Sequence, residues 1–548
     1  MSVYNQTKKK VFITAALPYA NGPLHLGHIR STYLPGDIYA RFRRLLGDDA
    51  VYVCATDEHG TPIVLSAERA GKTPKEFTDY YHEKDKKEFA ALGFSFDIFH
   101  RTSSSENRET TQWFYSVLKE KGYIYKKEVE QNFCQKCNRY LPDRFVIGEC
   151  PKCHALGQYS DYCEACGSTY KPDEIINPKC IACSTPPVKK KSEHCFFKLT
   201  AFAEKLKSYL TANQRLQQQV VNYVLNWIEN GLIDWDITRD LEWGIPIPDE
   251  PGKVFYVWFD APIGYIGSLK ALKGDKWKEY FDSETVHFIG KDIIYHHYLF
   301  WPAMLCGVGL KCPDAIPVRG YLNLEGNKFS KSKNWFVSLE DYLSAFEPDY
   351  LRYYQTCFTP HDTTDADFQW KDFQTKVNNE LVANLGNFIN RVLTMLKRDF
   401  DFCIPEPSGL SEKEQKLLEL ITKTKDEYIS LMHRFHFKEA QELVMKLSSE
   451  FNAYLSETQP WKLDRNNKGK VLYVCSRAIS ALNILMYPFI PFSAEKLAEM
   501  LKIDALSVKL QNCDKEILKP GSKLGEPKPL FRKIEDREIE IQLAKLYK

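Results

Sequence analysis

The sequence predicts an α/β protein: a parallel-sheet domain, split by a cysteine-rich insertion and followed by an all-α helix bundle. Three observations predict it. A strand–turn–helix–strand pattern fills the first sixty residues and returns after residue 250. Four Cys-x-x-Cys pairs lie between about residues 130 and 190. Long mixed apolar and charged periodicity runs from about Phe368 to Leu501.

Each element has a local cause. Val11 to Leu17 is a short, partly β-branched apolar run ended by Pro18, and Asn21-Gly22-Pro23 is turn chemistry. Leu24 to Leu46 has helical periodicity, and Ala50 to Ala55 is a second short apolar run. Together they form a βαβ unit. Val254 to Phe259, Val286 to Ile289 (stopped by Gly290) and Val318 to Leu322 are the later strands. Leu410 to Arg434 and Lys438 to Leu455 are long helices of a bundle, and the chain from about Lys502 reads as irregular. The expected division is 1–118 for the first half of the sheet domain, 119–235 for the insertion and 236–325 for the second half. A lysine-loop region at 326–370 and a helical domain at 371–548 complete it.

Composition narrows the class. The chain has 548 residues, 44% apolar and 27% charged, which excludes a disordered chain, a collagen-like chain and a small disulfide scaffold. Lys plus Arg is 74 against 72 for Asp plus Glu, so nucleic-acid binding requires a local basic face rather than bulk charge. The longest apolar runs, Tyr298 to Leu310 and Ile479 to Phe492, fall short of the ~20 residues that span a bilayer and carry proline. They read as core, and no membrane is expected. Lys8-Lys9-Lys10 before an apolar run is similar to the start of a signal peptide, but Pro18, Asn21 and Gly22 interrupt it. The expected location is the cytoplasm, because eight of the sixteen cysteines fall at metal spacing rather than in a disulfide framework.

Two constellations carry chemistry. Pro23-Leu24-His25-Leu26-Gly27-His28 stands where the first strand gives way to a helix, with His25 and His28 three residues apart on one face. A helix N-terminus with two imidazole donors suits phosphate oxygens, and Gly27 lets a nucleotide ring lie close to the backbone. Three hundred residues later, Glu325-Gly326-Asn327 leads into Lys328-Phe329-Ser330-Lys331-Ser332, a turn that places two ammonium groups on one mobile loop. The four cysteine pairs, Cys134/Cys137, Cys150/Cys153, Cys163/Cys166 and Cys180/Cys183, supply thiolates for two closed tetrahedral sites. Their spacing leaves the pairing open.

In order and spacing, the histidine and lysine motifs resemble the paired signatures of the class I aminoacyl-tRNA synthetases. Further stretches resemble the methionyl-tRNA synthetase family within that class: Ala16-Leu-Pro-Tyr-Ala-Asn-Gly22, Asp57-Glu-His-Gly-Thr-Pro62, Trp258-Phe-Asp-Ala-Pro-Ile-Gly-Tyr265, Phe288-Ile-Gly-Lys-Asp292 and Phe300-Trp-Pro-Ala303. The likeness covers almost the whole chain. Phe329 stands where the family usually has Met, and Leu26 where it has Ile; both are apolar positions.

The resemblance implies a Rossmann-type catalytic domain with a zinc-knuckle insertion. It implies ATP-dependent attachment of L-methionine to initiator and elongator tRNA(Met) through methionyl-adenylate, with Mg²⁺ on the ATP. His25, His28, Lys328, Lys331 and Arg239, the last following Trp235-Asp-Ile-Thr, would be catalytic. Gly290 and Asp292 would meet the ribose, and with His25, His28 and Lys331 would hold ATP. Asp57 would take the substrate ammonium, while Leu17, Tyr19, Trp258, Ala261, Pro262, Tyr265, Ile293 and His297 would form the methionine pocket. Cys150, Cys153, Cys163 and Cys166 would bind one structural Zn²⁺, and Cys134, Cys137, Cys180 and Cys183 a nested second. Asn387, Arg391 and Trp461 would read the CAU anticodon; one turn before Asn387 the family often has Asn, and here Ala383 stands with Asn384 beside it. No insert is large enough for a separate editing domain, and a monomer is expected because no further oligonucleotide-binding module follows the bundle.

Overall fold

The computed structural model describes residues 8–142, 145–160, 163, 165–166, 168, 174–330, 335–504 and 507–546. Five parallel strands form the central sheet: β1 (Lys10–Ala15), β2 (Asp49–Thr56), β3 (Ile98–Arg101), and, past the insertion, Glu284–Gly290 and Val318–Arg319. Val11 pairs with Ala50 of β2 on one side and with Glu284 on the other. Strand order therefore reverses at β1. In a doubly wound sheet that reversal opens a crevice at the strands' carboxyl ends, the usual place for a ligand. β1 and β2 are almost wholly buried, which is why they read as continuous apolar runs rather than alternating ones.

The helix expected over Leu24–Leu46 is broken into three parts: a turn at Leu26–His28, a π-helical segment at Ile29–Tyr33, and α1 (Leu34–Leu45). The cause is tertiary. Arg30, 1% exposed, donates to the carbonyls of Gly320 (2.9 Å) and Tyr321 (3.1 Å), and Ser31 Oγ donates to Gly320 O at 2.7 Å. The same contacts correct the strand expected over Val318–Leu322. It is two strands, Val318–Arg319 and Leu322–Leu324, because the carbonyls between them face Arg30 and Ser31 instead of a ladder. A Cβ at Gly320 would stand 2.3 Å from Thr364 O, so only glycine fits this break.

The insertion is a long antiparallel stalk, Ile124–Cys134 against Val188–Phe197, in register from Ile124↔Phe197 to Phe133↔Val188. The cysteine pairs lie at its far end, around a small sheet of Val146–Glu149, Gln158–Tyr159 and Ile176–Cys180.

The helix bundle contains Asn387–Phe400, Glu412–His433, Phe437–Thr458 and Arg465–Met486. The last is long and apolar enough to cross a membrane by composition, but 89% of that stretch is buried among the other helices. The tail expected to be irregular from Lys502 carries a helix at Asp536–Leu546, preceded by Ile534, whose carbonyl accepts from Gln374 Nε2 at 3.0 Å. Sheet and bundle share one hydrophobic core, from Val11 and Tyr52 through Tyr342 and Trp370 to Leu472 and Phe489. At their junction the buried Arg352 donates to Asp37 Oδ2 (2.6 Å), Pro488 O (3.0 Å) and Phe489 O (3.1 Å). Asp37 also accepts from Arg41, and these cations hold its carboxyl far below the usual range despite burial.

Candidate functional site

A cavity of about 910 Å³ opens at the carboxyl ends of β1 and of Glu284–Gly290. His25, His28, Lys328, Arg239, Gly290 and Asp292 line it. So do Leu17, Tyr19, Asp57, Trp258, Ala261, Pro262, Tyr265, Ile293 and His297. Every candidate catalytic, ATP-binding and methionine-binding residue among the described ones thus faces one space. Lys331 lies outside the described residues.

His25 is the N-cap of the short turn, with extended backbone (φ −143°, ψ 169°). Its Nδ1 accepts from Gly27 N–H at 3.2 Å, and His28 Nδ1 accepts from His25 N–H at 3.0 Å. Both neutral rings therefore carry their proton on Nε2 as a donor. The two rings lie 3.8 Å apart between centroids. Phe329 of the lysine motif stacks on His25 at 4.8 Å and 11°, so the position read as simple apolar packing is a direct link between the two signatures. A Cβ on Gly27 would stand 3.0 Å from His25 Nδ1 and 3.3 Å from Phe329, so the two rings leave little room for a larger residue there. Backbone bonds complete the link: Leu26 N–H donates to Val337 O (3.1 Å) and Leu339 N–H to Leu24 O (3.2 Å). Ser330 and Trp335 exchange two backbone bonds of 2.9 Å.

Asp57 is buried at the cavity wall, and its Oδ1 has no hydrogen-bond partner among the described residues. Burial, with Asp260 and Glu58 nearby, pushes its carboxyl well above the usual range, against one backbone bond from His59. Asp260, by contrast, is paired with His59 Nδ1 at 2.7 Å.

At the apolar end, His297 Nδ1 stands 3.2 Å from Ile293 O and its Nε2 2.9 Å from Tyr265 Oη. Burial pushes the imidazole down to about 4, so the ring is neutral: Nδ1–H donates to the carbonyl and Nε2 accepts from the tyrosine hydroxyl. Trp258 stacks on His296 at 3.6 Å. Arg239 lies 3.9 Å from the Tyr256 ring centroid and donates to Thr238 O at 2.6 Å. The sequence did not single out Tyr256 or Trp243, which also line the cavity; Trp243 donates to Glu58 O at 2.5 Å. Lone aromatics carry no motif, and only the fold reveals them.

The cysteines form two quartets, Cys134/Cys137/Cys180/Cys183 and Cys150/Cys153/Cys163/Cys166, with each set of sulfurs within 4.8 Å of one another. Sγ–Sγ separations are 3.3 and 4.0 Å in the first and 3.9 and 3.5 Å in the second. A tetrahedron with Zn–S of ~2.3 Å has edges of about 3.8 Å, so both quartets fit a zinc ion. Backbone N–H groups of Cys137 and Cys166 point at Cys134 and Cys163 Sγ, as thiolates require. The first quartet packs with Leu65 and Leu241, and Leu241 lines the cavity.

In the bundle, Arg391 stands over the Trp461 ring at 5.2 Å, and the indole is 45% exposed. Asn387 is exposed on the same helix. Asn384 turns inward to Ser449 Oγ at 2.9 Å, and Ala383 is exposed.

A parallel sheet that switches at β1, joined histidine and lysine motifs at its carboxyl edge and a following helix bundle define a class I aminoacyl-tRNA synthetase. Residues 11–393 match the family model "tRNA synthetases class I (M)", and 404–546 match "Anticodon binding domain of methionyl tRNA ligase". The chain belongs to the methionyl-tRNA synthetase family. The methionine–tRNA ligase of Methanopyrus kandleri is 45% identical over 98% of this chain and 82% of its own length, and that of Bacteroides fragilis 41% over 98% and 81%. A Mycobacterium tuberculosis methionyl-tRNA synthetase in complex with methionyl-adenylate superposes with a TM-score of 0.81 at 25% identity, covering 95% of this chain and 99% of that one.

Proposed function

We infer that this enzyme, a methionine–tRNA ligase, joins L-methionine to initiator and elongator tRNA(Met) in two steps, for translation initiation and elongation. The observation that most supports these residue roles is the backbone and ring linkage of the His25–His28 turn to the Phe329 loop, in a cavity also lined by Asp57, whose Oδ1 has no hydrogen-bond partner among the described residues.

In the first step a methionine carboxylate oxygen attacks the α-phosphorus of ATP in line. The bond to the β-phosphate oxygen breaks, and pyrophosphate leaves. Asp57 holds the methionine ammonium. His25 and His28 donate Nε2–H to phosphate oxygens, whose charge grows in the transition state. Arg239, Lys328 and Lys331 neutralise the departing pyrophosphate. Gly290 and Asp292 take the ribose; a Cβ at Gly290 would stand 2.5 Å from Asp292 Oδ1, so the glycine leaves that carboxylate room. Mg²⁺ on the ATP adds charge neutralisation when bound. Leu17, Tyr19, Trp258, Ala261, Pro262, Tyr265, Ile293 and His297 enclose the thioether, where shape discriminates by ~1–3 kcal/mol per methylene. In the second step the terminal ribose 2′-hydroxyl attacks the activated carbonyl, and AMP leaves. Asn387, Arg391 and Trp461 contact the anticodon, the exposed indole stacking on a base for ~1–3 kcal/mol. The enzyme works as a cytoplasmic monomer, and light scattering at twice the chain mass would contradict the latter.

Exchange of labelled pyrophosphate into ATP tests the reading. Strong exchange with methionine, and none with leucine or cysteine, is expected; no exchange from a folded, zinc-replete sample overturns it. Mercurial displacement is expected to release two equivalents of zinc per chain. Chelation is expected to lower aminoacylation more than exchange, since both quartets lie on the insertion, at the far end of its stalk. One equivalent, or none, contradicts two four-thiolate sites.

A further inference from the structure

His194 lies on the stalk strand Val188–Phe197 and is 2% exposed. Its Nδ1 is 2.7 Å from Asp236 Oδ2 and its Nε2 is 2.9 Å from Asp240 Oδ2. A neutral imidazole has one N–H, so bonds to both carboxylates require the imidazolium. Burial alone would lower its pKa, but hydrogen bonds and charge from Asp236 and Asp240 outweigh it, and the group is raised. The other facing groups are the Gln131 amide, 2.5 Å from Nε2, whose oxygen rather than nitrogen must face the imidazolium N–H; Ser192 Oγ, which donates to Asp240 at 2.9 Å; and Lys253 Nζ, 3.9 Å from Asp240 Oδ1.

The two carboxylates bracket the short strand Thr238–Arg239, which brings Arg239 to the cavity. Arg239 Nη1 is 3.6 Å from Asp236 Oδ2, the oxygen that His194 holds at 2.7 Å. Two cations thus face one carboxylate, and the histidine is the closer. We propose that His194 is a positioning residue: by occupying Asp236 it leaves the Arg239 guanidinium, over the Tyr256 ring, available to phosphate oxygens in the cavity. Without His194, Asp236 becomes a partly buried charge whose nearest cation is Arg239, and it draws that side chain out of the phosphate's path. The proposal rests on the reading of Arg239 as a phosphate-facing residue.

The test uses the full-length, zinc-loaded chain and methionine-dependent pyrophosphate exchange. His194→Gln is expected to lower kcat at least tenfold with the methionine KM within twofold. Asp236→Asn alone is expected to keep kcat within threefold. His194→Gln combined with Asp236→Asn is expected to recover at least a third of the parent kcat, because no carboxylate remains to capture the arginine. A double variant as slow as His194→Gln, or a tenfold loss in Asp236→Asn alone, overturns the proposal; the latter decides even where His194→Gln does not fold. Arg239→Ala separates the two readings. If it costs kcat while His194→Gln does not, the Arg239 role stands and the proposal alone falls. If Arg239→Ala leaves kcat unchanged, both fall.

Discussion

Asp57→Asn is expected to lower methionine-dependent pyrophosphate exchange by about 10²–10³-fold, mostly through the methionine KM. Removing one partner of a buried ion pair costs ~3–5 kcal/mol, and here the pair exists only with substrate bound. The free protein should show the opposite sign. Burial and Asp260 raise the Asp57 carboxyl above its unfolded value. The raised group therefore costs the free protein stability above the ordinary carboxylate range, and that cost fades as pH falls from the raised pKa toward the unfolded one. The Asn variant should melt at or above the parent temperature. The same sign predicts that the parent's methionine KM rises as acid protonates Asp57, whereas the variant's does not follow that titration. A loss below tenfold, or a clear drop in melting temperature, would show that Asp57 is a structural group.

The second large effect belongs to the joined motifs. His25→Ala is expected to slow adenylate formation by about 10²–10³-fold in single turnover, the range for losing one transition-state donor. Methionine affinity should change less than threefold. The substitution also removes an N-cap bond and the stack on Phe329. A lost cap is typically worth ~1 kcal/mol, too little to account for such a rate loss. Lys331→Ala should show the same split, with kcat falling far more than methionine binding. Equal losses in rate and affinity for either variant would remove it from the transition state.

Much of this was legible in the chain because the relevant signals are local. Val11–Leu17 and Ala50–Ala55 are strands by residue type, and the Cys-x-x-Cys pairs state their chemistry by spacing. The cysteine partnership is not local: spacing left it open, the family resemblance implied it, and the folded stalk brings Cys134/Cys137 beside Cys180/Cys183. The π-helical Ile29–Tyr33 was invisible because Arg30 and Ser31 owe their conformation to carbonyls some three hundred residues away. The Asp536–Leu546 helix was missed because its buried positions, Ile539, Gln542 and Leu546, are diluted among charges and include a polar residue. His194 and Tyr256 carry no motif of their own. Their meaning lies in tertiary neighbours: Asp236 for His194 and Arg239 for Tyr256.

The shared core and the Arg352 junction carry a mechanical consequence. Because apolar packing runs unbroken from the sheet into the helices, and Arg352 ties Asp37 to the carbonyls of Pro488 and Phe489, the cavity and the exposed Trp461 are fixed to one frame. Close-packed interiors yield little. A substrate that has to touch both places is gauged as by the jaws of a caliper: it fits only if the span between its own two ends matches the gap.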